Sequence, residues 1–556
     1  MSPDGRRLAG EACDLWHDGI PLQRDAFSRG PIPDFLTKAS RVDAPITPPV
    51  AATQEEATRT QIRGSSLLLA GRLLAVAMNF AILVLIVRYL SKADYGAFAY
   101  ALSIAALGAN LATFGLDRSI TRFVPIYEEQ GRYDKMLGTI VMVTGTILSL
   151  SLTAILLVYG LQGFLGGSLI RDERAISLLL ILILLAPIQA LDGLLTGMFA
   201  VISKPRAIFF RKYVLGPALR LAVVLLLILG NSGVSFLATG YVITGALSVA
   251  IYIVILFRLL REEGLLQRFS FGTMRMPARE VFAFTLPLLS SDFMYMAMNT
   301  SDVVLLGHFQ GSAEVASFRA IWPAAHLNQL VMTSFALLFT PMAARLFARN
   351  DRAGINDLYW KTALWIAVLS FPIFALTFSL AEPFTVTAFG ARYEDSATYL
   401  MLLSFGYYFN AALGFNGLTL KVFGKLRYIV SINALAAVVN VAVNLALIPR
   451  YGALGAAIGT TATLVAHNIL KQAGLRLGTG ISLFQRGDAV VYVGIAVGAL
   501  FLLAVQLTVS PPFYVGFVLA AFVSLLVLGL SRKSLRTGET FPELMRFRLA
   551  RLLLGE

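Results

Sequence analysis

Residues 66–88 read SLLLAGRLLAVAMNFAILVLIVR, an apolar run interrupted by few polar side chains. A helix needs about 20 such residues to cross a bilayer, so this run predicts a transmembrane helix. Runs of the same kind follow one another along the chain, with short links between them. The sequence predicts fourteen spans, at residues 66–88, 96–116, 137–159, 175–200, 212–229, 235–257, 282–306, 313–342, 362–381, 395–419, 427–448, 453–471, 489–508 and 512–530.

The composition is that of a chain dissolved largely in lipid. Of its 556 residues, 57% are hydrophobic and 14% are charged, whereas about a quarter of the residues of a soluble domain are charged. Side chains that face lipid must be apolar, as must those of the core. The single cysteine, Cys13, excludes an intrachain disulfide. We therefore expect an all-α polytopic membrane protein and exclude a soluble, disordered or disulfide-rich one.

Lys and Arg are distributed unevenly between the two sides of the predicted spans. They concentrate in the links that follow even-numbered spans and in the C-terminal tail. The links on the other side hold six, which are Arg88, Lys92, Arg171, Arg174, Arg392 and Arg450. Cytoplasmic loops carry the excess of positive charge, so both termini are expected in the cytoplasm. This excess explains the net charge of +14 without nucleic acid as a partner.

Residues 1–60 differ from the remainder of the chain because they are rich in proline and in charges of both signs. Such a segment cannot bury enough apolar surface to offset the entropy of ordering, and it has no apolar run like that of a signal peptide. We expect a disordered cytoplasmic tail. The predicted units that follow are an N-terminal six-helix bundle, a C-terminal six-helix bundle, two additional transmembrane helices and a second cytoplasmic tail, at residues 64–258, 280–471, 489–530 and 531–556.

The two predicted bundles are related by an internal repeat. A displacement of about 220 residues places AMN at 77–79 on AMN at 297–299, and nearly the same displacement places SKPR at 203–206 on GKLR at 424–427. Each unit has six spans, an even number, so the repeats are parallel and related by an axis along the membrane normal. Two bundles around a midplane site are typical of alternating-access transporters. Channels and membrane enzymes can also be duplicated, so the repeat favours a transporter without deciding the matter.

Charged side chains within the predicted spans are costly in lipid and need a reason. Arg72 and Asn79 are seven residues apart in the first span, and Arg319 and His326 are seven apart in the eighth. Each pair therefore shares one face of its helix. We predict a cavity that binds an anionic headgroup, and the alternative is a structural role as salt bridges or as arginines that extend to the interface. The predicted substrate-binding residues are Arg72, Asn79, Arg220, Asn299, Arg319 and His326.

Three carboxylates also lie within predicted spans. Asp292 and Asp302 share a broad stripe of the seventh span with Asn299. The repeat places Arg72 on Asp292, so one half has a cation where the other has an anion. We expect Asp292 and Asp302 to pair with the cavity arginines or to bind a coupling cation. Asp192, in the fourth span, is expected to serve in packing or gating.

Sequence motifs of catalysis and nucleotide binding are absent. The chain has no H-E-x-x-H, G-x-S-x-G, P-loop or C-x-x-C motif. Its four histidines are scattered, so neither a metal site nor a cofactor is expected. The extracytoplasmic links are too short to hold a catalytic domain. We therefore expect a protein that is not an enzyme and is driven by an ion gradient, the membrane potential or the substrate gradient.

The link between the first two spans, residues 88–96 (RYLSKADYG), resembles the R-x-L-x-x-x-x-Y-G junction of polysaccharide flippases. Residues 302–309 (DVVLLGHF) resemble their seventh span, and Phe389-Gly390 resembles their link before the tenth. Over residues 64–530, the chain is similar to the Wzx-like polysaccharide transport branch of the multidrug/oligosaccharidyl-lipid/polysaccharide exporter superfamily.

This resemblance implies a bacterial inner-membrane protein that flips an undecaprenyl-diphosphate-linked oligosaccharide, such as the repeat unit of O-antigen, capsule or exopolysaccharide. It also implies a cationic cavity for the diphosphate, with Arg319 as the best candidate and Arg72 as the next. The chain departs from the family pattern at Arg319, which follows Phe318 where the family has a tyrosine nearby. The implied partners are the lipid-linked oligosaccharide and the bilayer, with a polysaccharide polymerase and export proteins as further candidates.

Three alternatives remain open from the sequence. A cation-coupled multidrug antiporter should have a carboxylate-rich N-terminal bundle, but spans 1–3 hold essentially no carboxylate at mid-membrane. A peptidoglycan lipid-precursor flippase would also use a cationic cavity, and the Tyr95-Gly96 junction is the feature that argues for the first interpretation. A membrane scaffold in a glycan-assembly complex predicts no loss of export when cavity arginines are replaced.

Overall fold

The two predicted tails lie mostly outside the part of the chain that the structure describes. The structure, a computed structural model, describes residues 50–202, 205–262, 264–268, 271–483 and 486–535. The chain divides into two units, Met1–Thr60 and Gln61–Glu556. In the first unit, residues 50–60 are helical where the sequence predicts a disordered tail, and residues 1–49 lie outside the described residues.

Helices make up the secondary structure of the described residues, which include no strand. The N-half consists of α1 (Val50–Tyr89), α2 (Lys92–Thr113), α3 (Asp117–Glu129), α4 (Tyr133–Gly160), α5 (Glu173–Leu182), α6 (Leu185–Val201), α7 (Gly216–Leu229) and α8 (Val234–Glu262). The C-half consists of α9 (Ala278–Gln310), α10 (Ser312–His326), α11 (Leu330–Ala348), α12 (Arg352–Phe374), α13 (Ala381–Phe389), α14 (Ser396–Ala412), α15 (Asn416–Val422) and α16 (Leu426–Thr479). Two additional helices follow, α17 (Ala489–Val509) and α18 (Phe513–Leu535). Shorter helical segments lie at Gln162–Phe164, Leu165–Leu169, Pro205–Ile208, Phe209–Leu215, Leu265–Arg268, Phe271–Thr273, Leu327–Gln329, Ala375–Ser379, Ala391–Tyr393 and Arg486–Asp488.

The helices confirm a polytopic all-α membrane protein. Within the described ranges, nine helices are long and apolar enough to cross a membrane, and two bent pairs raise the number to as many as eleven. One bent pair is α5 and α6, which meet at 42° within the predicted fourth span. Each of the fourteen predicted spans overlaps a helix or a helix pair, but the count of fourteen stays a prediction.

Helix α16, of 54 residues, consists of two helices joined across a kink, and each contains one predicted span. Gly452 lies between them with φ 54° and ψ −134°, which is not helical. Only glycine adopts such positive φ angles without steric cost. The residue therefore marks the turn from the eleventh predicted span to the twelfth, although no loop separates them.

The predicted link between the second and third spans is itself helical. Helix α3 buries Ile120 and Val124 and contacts the start of α9 in the other half. Tyr127 donates a hydrogen bond of 2.6 Å to Glu280, and the Lys135 ammonium lies 2.6 Å from the same carboxylate. The hydrogen bond from Lys135 holds the pKa of Glu280, which precedes the predicted seventh span, below its ordinary value. Arg118 and Arg122 of this link are therefore carried on a packed helix.

The two halves meet along α2 and α10, the second helix of each half. Both helices are rich in small residues and contribute to one buried core, which includes Ala101 and Phe98 of α2 and Ala320 of α10. A Cβ atom at Gly96 would overlap the main chain of Ser312, so the two backbones approach closely there. Small residues permit such close approach of helices in membranes. Residues of both helices line the cavity between the two halves.

Candidate functional site

A cavity of about 620 Å³ lies between the two halves, and we refer to it as the central cavity. It is bounded by helices α1, α2, α7, α8, α10 and α11. Five of the six predicted substrate-binding residues line it, which are Arg72, Asn79, Arg220, Arg319 and His326. The structure therefore places predicted residues from three different helices, α1, α7 and α10, around one space. The sixth, Asn299, has a side chain outside the described residues.

Arg319 connects the two halves at the central cavity. Its Nη2 atom donates a hydrogen bond of 2.8 Å to the hydroxyl of Ser103, which belongs to α2. Its guanidinium lies 5.5 Å from the centre of the Trp322 ring, a separation at which a cation is attracted to an aromatic face. These contacts use only part of the five-donor guanidinium. Arg319 is thus held in place and keeps donors for a ligand.

Arg72 and Arg220 complete a cluster of three guanidiniums. Their side chains are exposed where they line the central cavity, and the guanidinium of Arg220 lies 5.7 Å from the centre of the Tyr241 ring. No carboxylate among the described residues forms a salt bridge with either arginine. The lining residues of the central cavity that the structure describes include no Asp or Glu. Its surface is therefore cationic.

A second cavity of about 670 Å³, the N-half cavity, adjoins the central one. The two cavities share Arg72, Asn79, Arg220 and Tyr241 as lining residues. The N-half cavity is also lined by Arg211, Lys212 and Asp192, which come from the fourth predicted span and the link after it. The cationic surface therefore extends into the N-half beyond the residues that the sequence predicts.

Asp192 pairs with Arg211, which lies in the link between the fourth and fifth predicted spans. The two side chains form an ion pair, and the Nε atom of Arg211 donates a hydrogen bond of 3.2 Å to Ser248. The guanidinium also lies 4.4 Å from the centre of the Tyr252 ring. Arg211 lies in the short π-helical segment Phe209–Leu215, which leads directly into α7, and its side chain is buried there. The sequence gives no sign of this partnership, because its two members lie in different helices.

Replacing Asp192 with alanine is expected to destabilise the protein by about 3 kcal/mol. The Arg211 side chain is 7% exposed, and removal of one member of a buried ion pair leaves an uncompensated charge. Thermal unfolding of the detergent-solubilised protein measures the effect. The double variant Asp192→Ala/Arg211→Met should recover most of the loss, and Asp357→Ala, which breaks an exposed pair with Lys361, should cost little. An unchanged unfolding temperature for Asp192→Ala would contradict this role.

A third cavity, of about 230 Å³, lies within the C-half and contains Asp302. The Asp302 side chain is buried, with 3% exposure. Asn444 donates a hydrogen bond of 2.5 Å to one carboxylate oxygen and Thr460 donates one of 2.7 Å to the other. Asn440 extends this network, because it accepts a hydrogen bond of 3.3 Å from Asn444. We refer to this space as the C-half cavity.

The C-half cavity and the central cavity share Trp322, His326 and Gln329 as lining residues. The ring of His326 lies 5.0 Å from that of Trp322 and 4.9 Å from that of Tyr407, centre to centre. These aromatic rings form the wall between the two cavities. His326 therefore lies at the border of both, whereas Asp302 lies on the far side of the wall from Arg72.

Asp292 has a side chain outside the described residues, as Asn299 does, so the predicted stripe through the seventh span is represented by Asp302. Asn440, Asn444 and Thr460 are further polar residues of this site that were not predicted from the sequence. A signal exists for the first two, because amides four residues apart in an apolar span share one helix face. Within the described ranges, no group of three or more His, Cys, Asp or Glu residues could hold a metal ion.

The helices and the cavity between the two halves are those of a polytopic membrane protein. Residues 62–347 match the model of the family described as polysaccharide biosynthesis protein, and the chain belongs to this family. Residues 287–446 also match the MatE family model. The resemblance to polysaccharide flippases that the sequence motifs indicate is confirmed.

Two curated relatives are similar in sequence. An uncharacterized membrane protein of Methanocaldococcus jannaschii is 22% identical over 420 residues, which cover 72% of this chain and 80% of the relative. The capsular polysaccharide biosynthesis protein CapF of Staphylococcus aureus is 24% identical over 183 residues, which cover 33% of this chain and 46% of CapF. The similarity to CapF therefore spans less than half of that protein.

Two solved structures are similar in fold. The lipid II flippase MurJ, in an inward closed conformation, has a TM-score of 0.64 at 14% identity, with 85% of this chain and 100% of MurJ covered. A multidrug resistance transporter of the MATE family, in an inward-facing conformation, has a TM-score of 0.54 at 15% identity, with 73% and 94% covered. Identities this low show the fold alone.

Proposed function

We propose that this protein flips an undecaprenyl-diphosphate-linked oligosaccharide across the bacterial inner membrane by alternating access, with both termini in the cytoplasm. The glycan is the repeat unit of an O-antigen, a capsule or an exopolysaccharide. The observation that carries the proposal is the convergence of Arg72, Arg220 and Arg319 on one cavity between the halves, where the described lining includes no carboxylate.

The lining of the central cavity suits such an amphipathic ligand. A diphosphate offers several anionic oxygens, and a guanidinium binds phosphate oxygens with two parallel hydrogen bonds. Phe80 and Leu83 supply apolar surface in the same cavity, and Asn79 and Gln329 supply amides for sugar hydroxyls. Ligand sites commonly combine an apolar wall with a few polar groups that fix orientation.

The same cavity argues against a cation-coupled multidrug antiporter. A cationic drug would meet three guanidiniums and, among the described lining residues, no compensating carboxylate. In the adjoining N-half cavity, Asp192 is already paired with Arg211. A peptidoglycan precursor carries a lipid-linked diphosphate as well, so the experiment below must separate the two glycans.

We assign the coupling ion to the C-half cavity. Asp302 is a buried carboxylate that accepts hydrogen bonds from Asn444 and Thr460, and it also interacts electrostatically with Arg319. Buried ionisable groups in membrane proteins commonly mark ion pathways. The polar groups around it, which include Asn440 and Thr460, resemble the oxygen-rich surroundings that a hard cation prefers. Asp292 remains a second candidate for this role.

Depletion of the protein is expected to leave the lipid-linked oligosaccharide in the cytoplasmic leaflet. The glycan that reaches the periplasmic leaflet is measured with a glycosidase or a label that cannot cross the inner membrane. Cells with restored expression of the wild-type chain provide the control. Accumulation of the oligosaccharide inside, with normal peptidoglycan synthesis, is the expected result.

Three other results would contradict the proposal. Arrest of peptidoglycan synthesis with accumulation of its lipid precursor would assign the chain to the precursor flippase alternative. Normal delivery of both glycans, together with increased sensitivity to cationic drugs, would assign it to the antiporter alternative. Loss of the polymerised glycan without any change in the leaflet distribution would indicate a scaffold.

A further inference from the structure

The ends of two helices from different halves exchange arginines at one face of the molecule. Arg88, in the last turn of α1, donates from Nε to the carbonyl of Ala388 at 2.9 Å and from Nη2 to the carbonyl of Thr387. Arg392, just after α13, donates from Nη2 to the carbonyl of Arg88 at 2.9 Å and also to that of Val87. Each guanidinium therefore binds the C-terminal end of a helix in the opposite half.

These are strong acceptor positions for an arginine. The last carbonyls of a helix have no partner within the helix, and the helix dipole adds partial negative charge at that end. An arginine is always charged and presents several donors in a rigid fork. Two cations of like charge can thus lie side by side, because each lies against the negative end of the helix that carries the other.

A second contact between the halves occupies the position related by the repeat. The displacement of 220 residues places Lys92 on Ser312 and Asp172 on Arg392. In the structure, the hydroxyl of Ser312, at the start of α10, donates a hydrogen bond to Asp172, which precedes α5. The link between the first two helices of each half therefore touches the link before the fourth span of the opposite half. The two halves are therefore joined by two contacts, which the repeat relates to each other.

Between these contacts, α2 packs closely against both α9 and α10. Gly96 lies against the main chain of Ser312, and a Cβ atom at Gly307 would overlap the Tyr100 ring. Tyr95 and Phe98, which line the central cavity, come directly after this junction in α2. The two halves are therefore in direct contact at this face, which the distribution of positive charge assigns to the extracytoplasmic side.

We propose that Arg88 and Arg392 form a latch that holds the transporter closed on the extracytoplasmic side and must break before the cargo is released there. The inference rests on the proposed alternating access, because the latch has a role only if the halves separate at this face. Both arginine side chains are exposed, so water can replace the carbonyls when the latch opens. The contact is therefore strong enough to favour the conformation that is closed on the extracytoplasmic side, and it can still be broken.

The test measures access to the central cavity and needs no knowledge of the glycan. In a Cys13→Ser background, Ala106→Cys places one thiol in the central cavity. Its labelling by a maleimide that cannot cross membranes is followed from the extracytoplasmic side in sealed right-side-out vesicles. Addition of Arg88→Ala or Arg392→Ala should increase the labelling rate by about tenfold or more, since each removes charge-assisted hydrogen bonds. Arg174→Ala, which breaks an ion pair with Asp94 inside the N-half, is the matched control and should change nothing.

Labelling from the cytoplasmic side, in inside-out vesicles, distinguishes opening from unfolding. A shift of the equilibrium should slow labelling from that side in the same variants, because the population that exposes the cavity inward decreases. Faster labelling from both sides would indicate a disrupted protein and would overturn the proposal, as would unchanged rates in both latch variants. If the latch variants respond as expected while depletion leaves the oligosaccharide correctly placed, the latch stands and the proposed cargo is wrong.

Discussion

Arg319→Ala should reduce delivery of the lipid-linked oligosaccharide to the periplasmic leaflet by about 10- to 100-fold, because it removes charge-assisted hydrogen bonds worth about 1.5–3 kcal/mol each. Of the three cavity arginines, Arg319 is the one that the structure fixes from the opposite half, through Ser103 at 2.8 Å. Its position is therefore defined before the ligand arrives, so little entropy is lost on binding. The measurement is the leaflet assay in depleted cells that express the variant at matched level.

Conservative variants separate the charge of Arg319 from its shape. Arg319→Lys keeps the charge without the planar fork and should retain part of the activity, whereas Arg319→Gln should be as defective as the alanine variant. Arg345→Ala, an exposed arginine of α11 that does not line the described cavities, is the matched control. Equal activity of the glutamine variant and the wild type would show that Arg319 has a structural role.

The sequence predicts much of the cavity because its residues obey helical spacing. Arg72 with Asn79, and Arg319 with His326, are each seven residues apart, and both pairs line the central cavity. A charged residue in an apolar span is costly, so few positions are available for it other than a polar space between helices. The same reasoning applies to Arg220, because its charge lies within the fifth predicted span and would be costly in lipid.

Helical spacing cannot predict contacts between residues of different helices. The ion pair of Asp192 and Arg211 joins α6 to a π-helical segment, and no periodicity relates two separate segments. Arg211 lies between the fourth and fifth predicted spans, where a cytoplasmic link is expected, but its side chain is buried in the π-helical segment. The bend of 42° between α5 and α6 and the helical character of α3 were missed for the same reason, since tertiary packing decides both.

The position of Asp302 can be predicted from the sequence, but its hydrogen-bond partners cannot. Its place in the seventh span is evident from the sequence, but its partners Asn444 and Thr460 come from the eleventh and twelfth spans, about 150 residues further on. The sequence therefore allows either a pair with a cavity arginine or a cation site. The structure shows hydrogen bonds from neutral groups to both carboxylate oxygens and an electrostatic interaction with Arg319 without a direct ion pair, and we propose the cation site.

Asp302→Asn is expected to reduce flipping driven by an imposed ion gradient to the rate observed without a gradient. The amide has nearly the volume of the carboxylate and still accepts one hydrogen bond, so the C-half should fold while the negative charge is lost. Flipping is measured in vesicles with an inward Na⁺ gradient, an H⁺ gradient or neither, and the wild type should respond to one of the two ions. Asp357→Asn, which alters an exposed carboxylate paired with Lys361, is the matched control.

Thr460→Val tests whether the hydroxyl of Thr460 belongs to the ion site. Its hydroxyl donates to Asp302, and valine removes that group at nearly the same volume, so an ion site that includes the hydroxyl should lose affinity but keep its charge. The gradient-driven rate should then recover at higher ion concentration in Thr460→Val and not in Asp302→Asn. An Asp302→Asn variant that responds to the gradient like the wild type would move the coupling site elsewhere, with Asp292 as the next residue to replace.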